Sequence, residues 1–252
     1  MRRLGPQDAP FVVAHRGASS THPENTLPAF EAAIELGAPF LELDVRRSRD
    51  GVPVVIHDAT LERTTDGSGT VVGRTAAELA SLSAGTAATS ASVPRLADVL
   101  ELASGRCGLL VEIKDLPGQP GHDPRGATVR AAVAELDRVG FDGPFAFISF
   151  DPSAIGLARE LAPEVSTGLL FTRPVEPDEA LVHATEARHD VLLPGTWVLE
   201  PVGRAFVERA HDAGMLVVTW VVDDPAEVMR FFDLGVDGVA SNDPAAAAAA
   251  RR

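Results

Sequence analysis

The sequence predicts a single parallel α/β barrel. Its 252 residues are close to the roughly 250 residues that such a domain needs. Short apolar runs alternate with longer amphipathic stretches along almost the whole chain, which is typical of repeated βα units. Hydrophobic residues make up 45% of the sequence and charged residues 23%, which supplies enough apolar side chains for a large core. We therefore expect residues 1–252 to form one domain.

The apolar runs and amphipathic stretches can be assigned in order. Strands are predicted at residues 11–15, 40–45, 54–57, 108–114, 145–150, 165–170, 191–193, 216–221 and 238–240. Helices are predicted at residues 26–36, 95–103, 125–139, 152–161, 177–187, 201–213 and 225–234, with a further helix in the alanine-rich tail. Four of these helices start with proline, which suits a first helical turn. Residues 58–93 are rich in Gly, Ser and Thr, so we expect an insertion after the second strand region.

Charge and composition exclude several classes of partner. Lys and Arg number 22 against 36 Asp and Glu, a net charge of -14 that repels nucleic acid. The single cysteine, Cys107, cannot form an intrachain disulfide and is expected in the core. No stretch reaches the roughly 18 apolar residues of a membrane span, and no signal peptide is evident. We expect a cytoplasmic protein without integral membrane association, and the oligomeric state is left open.

Alternation along the second strand places two carboxylates on one face. Residues two apart in a strand share a face, so Leu41, Leu43 and Val45 point one way and Glu42 and Asp44 the other. Because apolar side chains belong against the helices, we expect both carboxylates to point into the barrel. Enzymes with this fold place their sites at the carboxyl ends of the strands.

The run LLVEIKD adds a third carboxylate by the same alternation, because Glu112 and Lys114 are predicted to point inward. Three carboxylates cannot all remain ionised at close range without a counterion, and oxygen ligands favour a hard divalent cation. Mg²⁺ or Ca²⁺ is expected, with Mn²⁺ as a third candidate. An ion pair with a neighbouring strand would account for any one of these carboxylates alone, but not for Glu42, Asp44 and Glu112 together.

Residues at the predicted strand ends complete a candidate site. His15 and His57 each close a strand-like run, where imidazoles could act as general base and general acid. Arg16 is placed to grip phosphate oxygens. Lys114 is the only lysine in the chain, and its compact ammonium suits a phosphoryl oxygen. The alternative is that this lysine has been retained by chance and forms an ion pair with Glu112 or Asp115.

The remaining aromatic and imidazole side chains have weaker signals. Trp220 ends the run MLVVTW and is predicted to form an apolar wall for the substrate, with simple packing as the alternative. Trp197 has no such context and is interpreted as structural. The other five histidines are expected at the surface; they are His22, His122, His183, His189 and His211.

The motifs that hold these residues resemble those of the glycerophosphodiester phosphodiesterase family. The segment HRGASSTHPENTLPAF starts at His15, and GAPFLELDVRRSRDGVPVVIHDATLERTTDG starts at Gly37. VPRLADVLELA, VEIKD, ISFDP, VVTWVVDD and GVDGVASNDP follow in the order that the family has. The likeness covers nearly the whole chain. One departure is Asn242, at a place that Asp often occupies.

The resemblance implies a (β/α)8 barrel with a small insertion after the second strand. It also implies that Glu42, Asp44 and Glu112 bind the metal, that His15 and His57 act as acid and base, and that Arg16 and Lys114 contact the phosphate. Asn25 and Thr26 are expected to cap the first helix and to order the His15 loop.

The implied reaction is metal-dependent hydrolysis of a small glycerophosphodiester to sn-glycerol 3-phosphate and an alcohol. Attack by water and attack by the glycerol 2-hydroxyl remain open, as does the choice of acid and base. A lysophospholipase D-type or cyclising phosphodiesterase is the close alternative, and a barrel that binds glycerophosphodiesters without turnover is the alternative from another class.

Overall fold

Eight parallel strands form a closed barrel in the computed structural model, which describes residues 3–5, 9–85 and 91–250. The barrel strands are β1 (Phe11–His15), β2 (Phe40–Arg47), β4 (Gly108–Ile113), β5 (Phe145–Ser149), β6 (Ser166–Phe171), β7 (Val191–Pro194), β8 (Leu216–Trp220) and β9 (Gly238–Ser241). Each strand pairs with the next in this order, and pairing of β9 with β1 and of β1 with β2 closes the ring. The predicted (β/α)8 barrel is confirmed.

Helices connect the strands on the outside. They are α1 (Leu27–Glu35), α2 (Ala76–Ala80), α3 (Leu96–Ala103), α4 (Ala127–Val139), α5 (Pro152–Leu161), α6 (Pro177–Glu186), α7 (Thr196–Leu199), α8 (Gly203–Asp212), α9 (Pro225–Leu234) and α10 (Pro244–Ala249). Thr26 caps α1, as expected, by accepting a hydrogen bond from the Ala29 amide at 3.4 Å. Proline opens α5, α6 and α9 as predicted, but Pro201 lies in the turn before α8. The short helix α7 was not predicted.

The structure at residues 54–57 differs from the predicted strand. The structure has a three-residue strand, β3 (Pro53–Val55), outside the barrel and antiparallel to β2, with Val45 opposite Val55. A tight turn, closed by the Ser48 amide donating to the Val52 carbonyl at 3.0 Å, sends the chain back beside β2. His57 therefore does not close a strand; it follows β3 and comes back to the level of Asp44, whose carbonyl accepts from the Ile56 amide at 2.9 Å.

Apolar side chains fill the barrel interior and the layer between strands and helices. Leu41, Leu43 and Val45 are fully buried against the helices, as the alternation predicts. Inside, the rings of Phe11 and Phe40 lie 4.5 Å apart between centroids. These rings need glycine on the neighbouring strands, because a Cβ at position 108 would lie 2.3 Å from the Phe40 ring and one at position 238 would lie 2.5 Å from the Phe11 ring.

The segment after β3 has a small apolar cluster of its own. Leu61, Val71 and Leu79 pack against Val54 and Ile56, and α2 begins with a capping box formed by Thr75 and Glu78. Residues 86–90 of this segment lie outside the described residues. The division of the chain into one domain with an insertion at about 58–93 stays a prediction.

Two further expectations can be compared with the structure. Cys107 is buried, as predicted. His189 is not at the surface: it is 4% exposed, and its Nδ1 lies 2.8 Å from the Thr167 hydroxyl. His189 lies between the end of α6 and the start of β7, and its imidazole packs beside the start of β6. No helix among the described residues is long and apolar enough to cross a membrane.

Candidate active site

Three buried carboxylates meet at the carboxyl ends of β2 and β4. Asp44 lies directly opposite Glu112 in the register of these neighbouring strands, and Glu42 lies one inward position earlier on β2. One oxygen of each carboxylate lies within 4.8 Å of an oxygen of the other two. The three residues are 0% to 6% exposed. Strand alternation therefore brings together the three residues that the sequence singles out.

Burial and mutual repulsion divide the three carboxyl groups into two kinds. Burial, together with the charges of Asp44 and Glu112, raises the pKa of Glu42 well above its ordinary value. Burial also raises the pKa of Glu112 to about 7, against the opposing effect of Lys114. Burial acts on Asp44 too, but Lys114 and Arg16 outweigh it and hold the pKa of Asp44 well below its usual range. Asp44 is thus the permanent anion of the cluster.

Two cations face the cluster from opposite sides. Lys114 Nζ lies 2.6 Å from Glu112 Oε1 and 3.2 Å from Asp44 Oδ1. Arg16 Nε lies 3.1 Å from Asp44 Oδ2, and Arg16 Nη1 donates to Glu24 Oε1 at 2.9 Å. Both side chains line the cavity at the barrel mouth, so their charge is available to a bound anion as well as to the carboxylates.

A tight turn after β1 positions Arg16. Its φ is +58°, and the following Gly17 has a φ of +84°, both in the left-handed region. A side chain at position 17 would meet the backbone of Ala29 at 2.6 Å, so this close approach requires glycine. The Arg16 amide donates to Glu42 Oε2 at 3.1 Å, which joins the turn to the cluster.

The carboxylate cluster fits a divalent cation. Its donors are all oxygens, which hard cations such as Mg²⁺ and Ca²⁺ prefer. Asp44 Oδ1 and Glu112 Oε1 are buried, and each faces Lys114 Nζ but accepts no further hydrogen bond from the described residues. Each oxygen therefore has lone pairs left for a cation. Glu42, Asp44 and Glu112 could therefore hold a metal ion.

Both predicted histidines face the same mouth. His15, at the end of β1, has its Nε2 at 3.9 Å from Glu42 Oε2 and its Nδ1 at 2.8 Å from Asn242 Oδ1. His57 Nδ1 lies 2.6 Å from Asp58 Oδ1. Burial and the charge of Arg16 lower the pKa of His15 to about 4, and burial also lowers the pKa of His57. Each ring thus has one nitrogen engaged by a neighbouring oxygen.

These side chains surround a cavity of about 140 Å³. Its rim is formed by the ionisable residues described above, and its floor by apolar side chains inside the barrel, among them Leu110, Ile148 and Val218. Pockets for drug-sized ligands have about 300 to 1,000 Å³. The space is therefore suited to a small ligand with a charged end and a short carbon skeleton.

Comparisons with known proteins identify the family of the chain. The sequence profile of the glycerophosphoryl diester phosphodiesterase family matches residues 15–246. The chain belongs to this family. A glycerophosphodiester phosphodiesterase of Caldanaerobacter subterraneus subsp. tengcongensis is 32% identical over 244 residues, which cover 93% of this chain and 94% of that protein.

Solved structures of similar proteins have the same barrel. A phosphodiesterase of Oleispira antarctica, in complex with its product sn-glycerol 3-phosphate, is 29% identical and superposes with a TM-score of 0.88 over 98% of this chain and 99% of the other. A putative glycerophosphoryl diester phosphodiesterase from Silicibacter pomeroyi is also 29% identical. Its crystal structure superposes with a TM-score of 0.84 over 96% of this chain and 92% of the other.

Aromatic side chains form one wall of the site in this family member. Trp220 makes an edge contact with Phe150 at 5.6 Å between ring centroids, and Lys114 Nζ lies 5.8 Å from the Phe150 centroid. Trp220 and Lys114 line the same cavity, and the role of Trp220 as a wall for the substrate stays a prediction. Trp197 packs against Trp220 with 5.4 Å between the ring centroids, and the residue is 45% exposed. Trp197 lies on the unpredicted helix α7, where its Nε1 donates to the Thr172 hydroxyl at 2.9 Å, and its interpretation as structural stays a prediction.

Other polar residues of the site were not predicted to belong to it. Asn25, expected to help cap α1 and order the His15 loop, donates from Nδ2 to Asp44 Oδ2 at 2.7 Å and accepts from the Asp44 backbone amide at 3.2 Å. Its φ of +58° is a conformation that Asn tolerates better than most residues. An Asn before a helix cap is a signal for such a turn, but it does not reveal the partner.

A second unpredicted group lies behind His57. Arg63 donates to both oxygens of Asp58, at 2.6 and 3.1 Å, and to both oxygens of Glu24, at 2.8 Å each. Glu24 in turn pairs with Arg16. These bonds connect the segment after β3 with the turn after β1, so the two halves of the mouth are held together by alternating charges.

Proposed function

We propose that this protein hydrolyses glycerophosphodiesters to sn-glycerol 3-phosphate and an alcohol, with a divalent cation bound by Glu42, Asp44 and Glu112. The observation that carries the proposal is the convergence of three carboxylates, two cations and two imidazoles on one small cavity. A binding site for an anion needs the cations, but it does not need two imidazoles beside a carboxylate cluster. The product complex of the Oleispira antarctica enzyme supports the same reaction.

The cavity supports a small substrate. An apolar floor and an aromatic wall suit the carbon skeleton of glycerol, while Lys114 and Arg16 suit the phosphoryl group. A volume of about 140 Å³ offers little space for a long acyl chain, which favours a glycerophosphodiester over a lysophospholipid.

The chain's own residues account for most of the proposed mechanism. Lys114 and Arg16 offset the negative charge that develops on the phosphoryl oxygens, and such preorganised charge is often the largest catalytic contribution. One histidine takes the proton of the attacking oxygen, which belongs to water or to the glycerol 2-hydroxyl, and the other gives a proton to the leaving alcohol. The Trp220 wall and the barrel floor orient the glycerol. The cation, when bound, supplies further positive charge to the phosphoryl group. We expect it to be Mg²⁺ or Ca²⁺, with Mn²⁺ as a third candidate.

The experiment is to measure the products from glycerophosphocholine, glycerophosphoethanolamine and lysophosphatidylcholine. Each reaction is run with EDTA and with added Mg²⁺, Ca²⁺ or Mn²⁺. Metal-dependent release of sn-glycerol 3-phosphate from the first two substrates supports the proposal. Cleavage of lysophosphatidylcholine alone, or a cyclic phosphate as the final product, would support the close alternative. Tight binding without any turnover would support a non-catalytic barrel.

Variants separate a functional site from a folded but inactive barrel. His15→Ala and His57→Ala are each expected to lower kcat by about 10² to 10⁴-fold, which is the usual contribution of a general acid or base. His183→Ala is the matched control, because His183 lies exposed on α6, away from the mouth. Rates for either site variant near those of the control would reject the proposed roles. A cytoplasmic location stays a prediction from the sequence.

A further inference from the structure

Three neighbouring strand ends carry a chain of hydrogen bonds that leads to His15. Asp223 follows β8, Asn242 follows β9, and His15 ends β1; β8, β9 and β1 are adjacent in the barrel. The side-chain Nδ2 of Asn242 donates to Asp223 Oδ2 at 2.9 Å, and the backbone N–H of Asn242 donates to Asp223 Oδ1 at 2.7 Å. Asn242 Oδ1 then lies 2.8 Å from His15 Nδ1.

The chemistry of these groups allows only one arrangement of protons. An ionised carboxylate accepts hydrogen bonds and donates none, so the NH₂ of Asn242 must face Asp223. The amide oxygen therefore faces His15. Because an amide oxygen also only accepts, His15 Nδ1 must carry the hydrogen of that bond. A neutral His15 consequently has its unprotonated nitrogen at Nε2, on the side of Glu42.

Further bonds hold this arrangement in place. Ser241 donates to Asp223 Oδ1 at 3.0 Å, and the Ser20 amide donates to the Asn242 carbonyl at 2.9 Å. The Ser19 hydroxyl lies 2.8 Å from the His15 carbonyl and 3.0 Å from Asn242 Oδ1, so its one hydrogen is shared between these two acceptors. Both the backbone and the side chain of Asn242 are thus tied, and rotation of its amide by 180° would set the oxygen against the carboxylate.

We propose that Asn242 and Asp223 are positioning residues that fix His15 in its Nδ1–H tautomer and so present Nε2 as the proton acceptor. This inference rests on the proposed phosphodiesterase function of the site. Neither residue touches the substrate in this scheme; each acts through the imidazole. In other proteins a carboxylate beside a histidine fixes the tautomer of the ring. The neutral side-chain amide of Asn242 can do the same here, because its hydrogen bond to Asp223 fixes which way the amide points.

The tautomer can be observed directly by NMR. In protein labelled with ¹⁵N-histidine, two-bond correlations show which ring nitrogen carries the proton, and loss of one set of signals in His15→Gln assigns them. We expect a neutral His15 ring protonated at Nδ1. A ring protonated at Nε2 would overturn the inference. The spectrum does not depend on turnover, so failure of this inference is distinguishable from failure of the proposed function.

Kinetics of three variants complete the test, with the divalent cation that gives the highest turnover. In Asp223→Asn nothing forces the orientation of Asn242, and in Asn242→Asp two carboxylates face each other. Each is expected to lower kcat by about 10 to 100-fold, with KM within about twofold because the phosphate contacts are intact. The double variant D223N/N242D exchanges amide and carboxylate at constant net charge. It restores both hydrogen bonds and should recover most of the lost kcat.

The matched control is Asp224→Asn, which removes the same charge one residue further along. Asp224 caps α9 by accepting from the Ala226 and Glu227 amides, and Asn is an equally good cap. Its kcat should equal that of the wild type. A double variant no more active than the single variants, or single variants with unchanged kcat, would leave Asn242 and Asp223 without the proposed role.

Discussion

Lys114 Nζ lies 3.2 Å from Asp44 Oδ1, although both side chains are almost completely buried. Isolated charges are costly to bury, but Asp44 is paired twice, because the guanidinium of Arg16 contacts its other carboxylate oxygen, Oδ2. The arrangement lowers the pKa of Asp44, whereas burial raises the pKa of Glu42 and raises that of Glu112 to about 7. The only lysine of the chain thus belongs both to the carboxylates and to the predicted phosphate site.

Replacement of Lys114 by Met should separate these two contributions. We expect kcat/KM for glycerophosphocholine to fall by about 10² to 10³-fold, because a preorganised charge facing the phosphoryl group is removed. Affinity for the cation should not fall, since the carboxylates lose a competing positive charge. Steady-state kinetics and calorimetric metal titration measure the two quantities. Lys114→Arg is the comparison: it keeps the charge but not the compact shape. A kcat/KM for Lys114→Met within threefold of wild type would contradict the phosphate role.

Stability of the metal-free protein should depend on pH through Glu112. Its pKa is raised from an ordinary value of 4.5 to about 7 in the folded protein, so the folded state binds more protons than the unfolded state between these values. The stabilisation is therefore complete below about pH 4.5 and is lost as pH rises through 7. A shift of this size corresponds to at most about 3 kcal/mol.

Thermal unfolding with EDTA should accordingly show a fall in Tm between pH 5 and pH 8. Saturating Mg²⁺ should reduce that fall, and cation binding at pH 6 should release protons, which calorimetry in buffers of different ionisation enthalpy detects. Glu112→Gln removes one of the two carboxyl groups whose pKa is raised, so the EDTA curve should become less steep, while Glu42 still contributes. If wild type and Glu112→Gln have parallel curves, the dependence comes from other groups.

Strand periodicity was sufficient to predict part of the site. Glu42, Asp44, Glu112 and Lys114 alternate with buried apolar residues, and alternation in a parallel strand determines which side chains face inward. That is a local property, and it can be read without knowledge of the fold. The same reasoning placed His57 at the mouth, but for an incorrect reason, because an antiparallel return beside β2 brings it there.

The residues that hold the site together could not be predicted in this way. Asn242 and His15 are 227 positions apart in the chain, and they meet only because the last barrel strand closes against the first. The partner of Asn25 likewise depends on how two separate turns approach each other. Such contacts are a consequence of ring closure, and no local pattern of polar residues contains that information.

Asn25 should contribute to both stability and function. Asn25→Ala removes two hydrogen bonds to Asp44 and places a residue other than Asn or Gly at a φ of +58°. We expect the free energy of unfolding to fall by about 2 to 4 kcal/mol, measured by urea denaturation. Asn25→Gly loses the same bonds without the backbone strain, so it should be about 1 kcal/mol more stable than Asn25→Ala. Equal stability of the two variants would show that the left-handed conformation imposes no cost.

Arg63 should affect catalysis more than stability. It binds both oxygens of Asp58 and both of Glu24, and its hydrogen bond is the main reason that the pKa of Asp58 falls to about 2. Because the Arg63 side chain is 47% exposed, Arg63→Ala should change the free energy of unfolding by less than about 1 kcal/mol. Asp58 would lose its anchor, and His57 would lose its fixed orientation, so kcat should fall by about 10 to 100-fold.

A control for Arg63 is available in the same segment. Within the described residues, the Arg74 side chain makes one hydrogen bond, an exposed one of 3.2 Å to the Ser68 carbonyl. Arg74→Ala should therefore retain wild-type kcat and stability. Arg63→Lys keeps the charge but cannot hold two carboxylates with paired bonds, and it should be nearly as slow as Arg63→Ala. If Arg63→Lys has full activity, charge alone suffices at this position and the paired geometry is unimportant for His57. If Arg63→Ala has full activity as well, the link between Asp58 and Glu24 has no part in turnover.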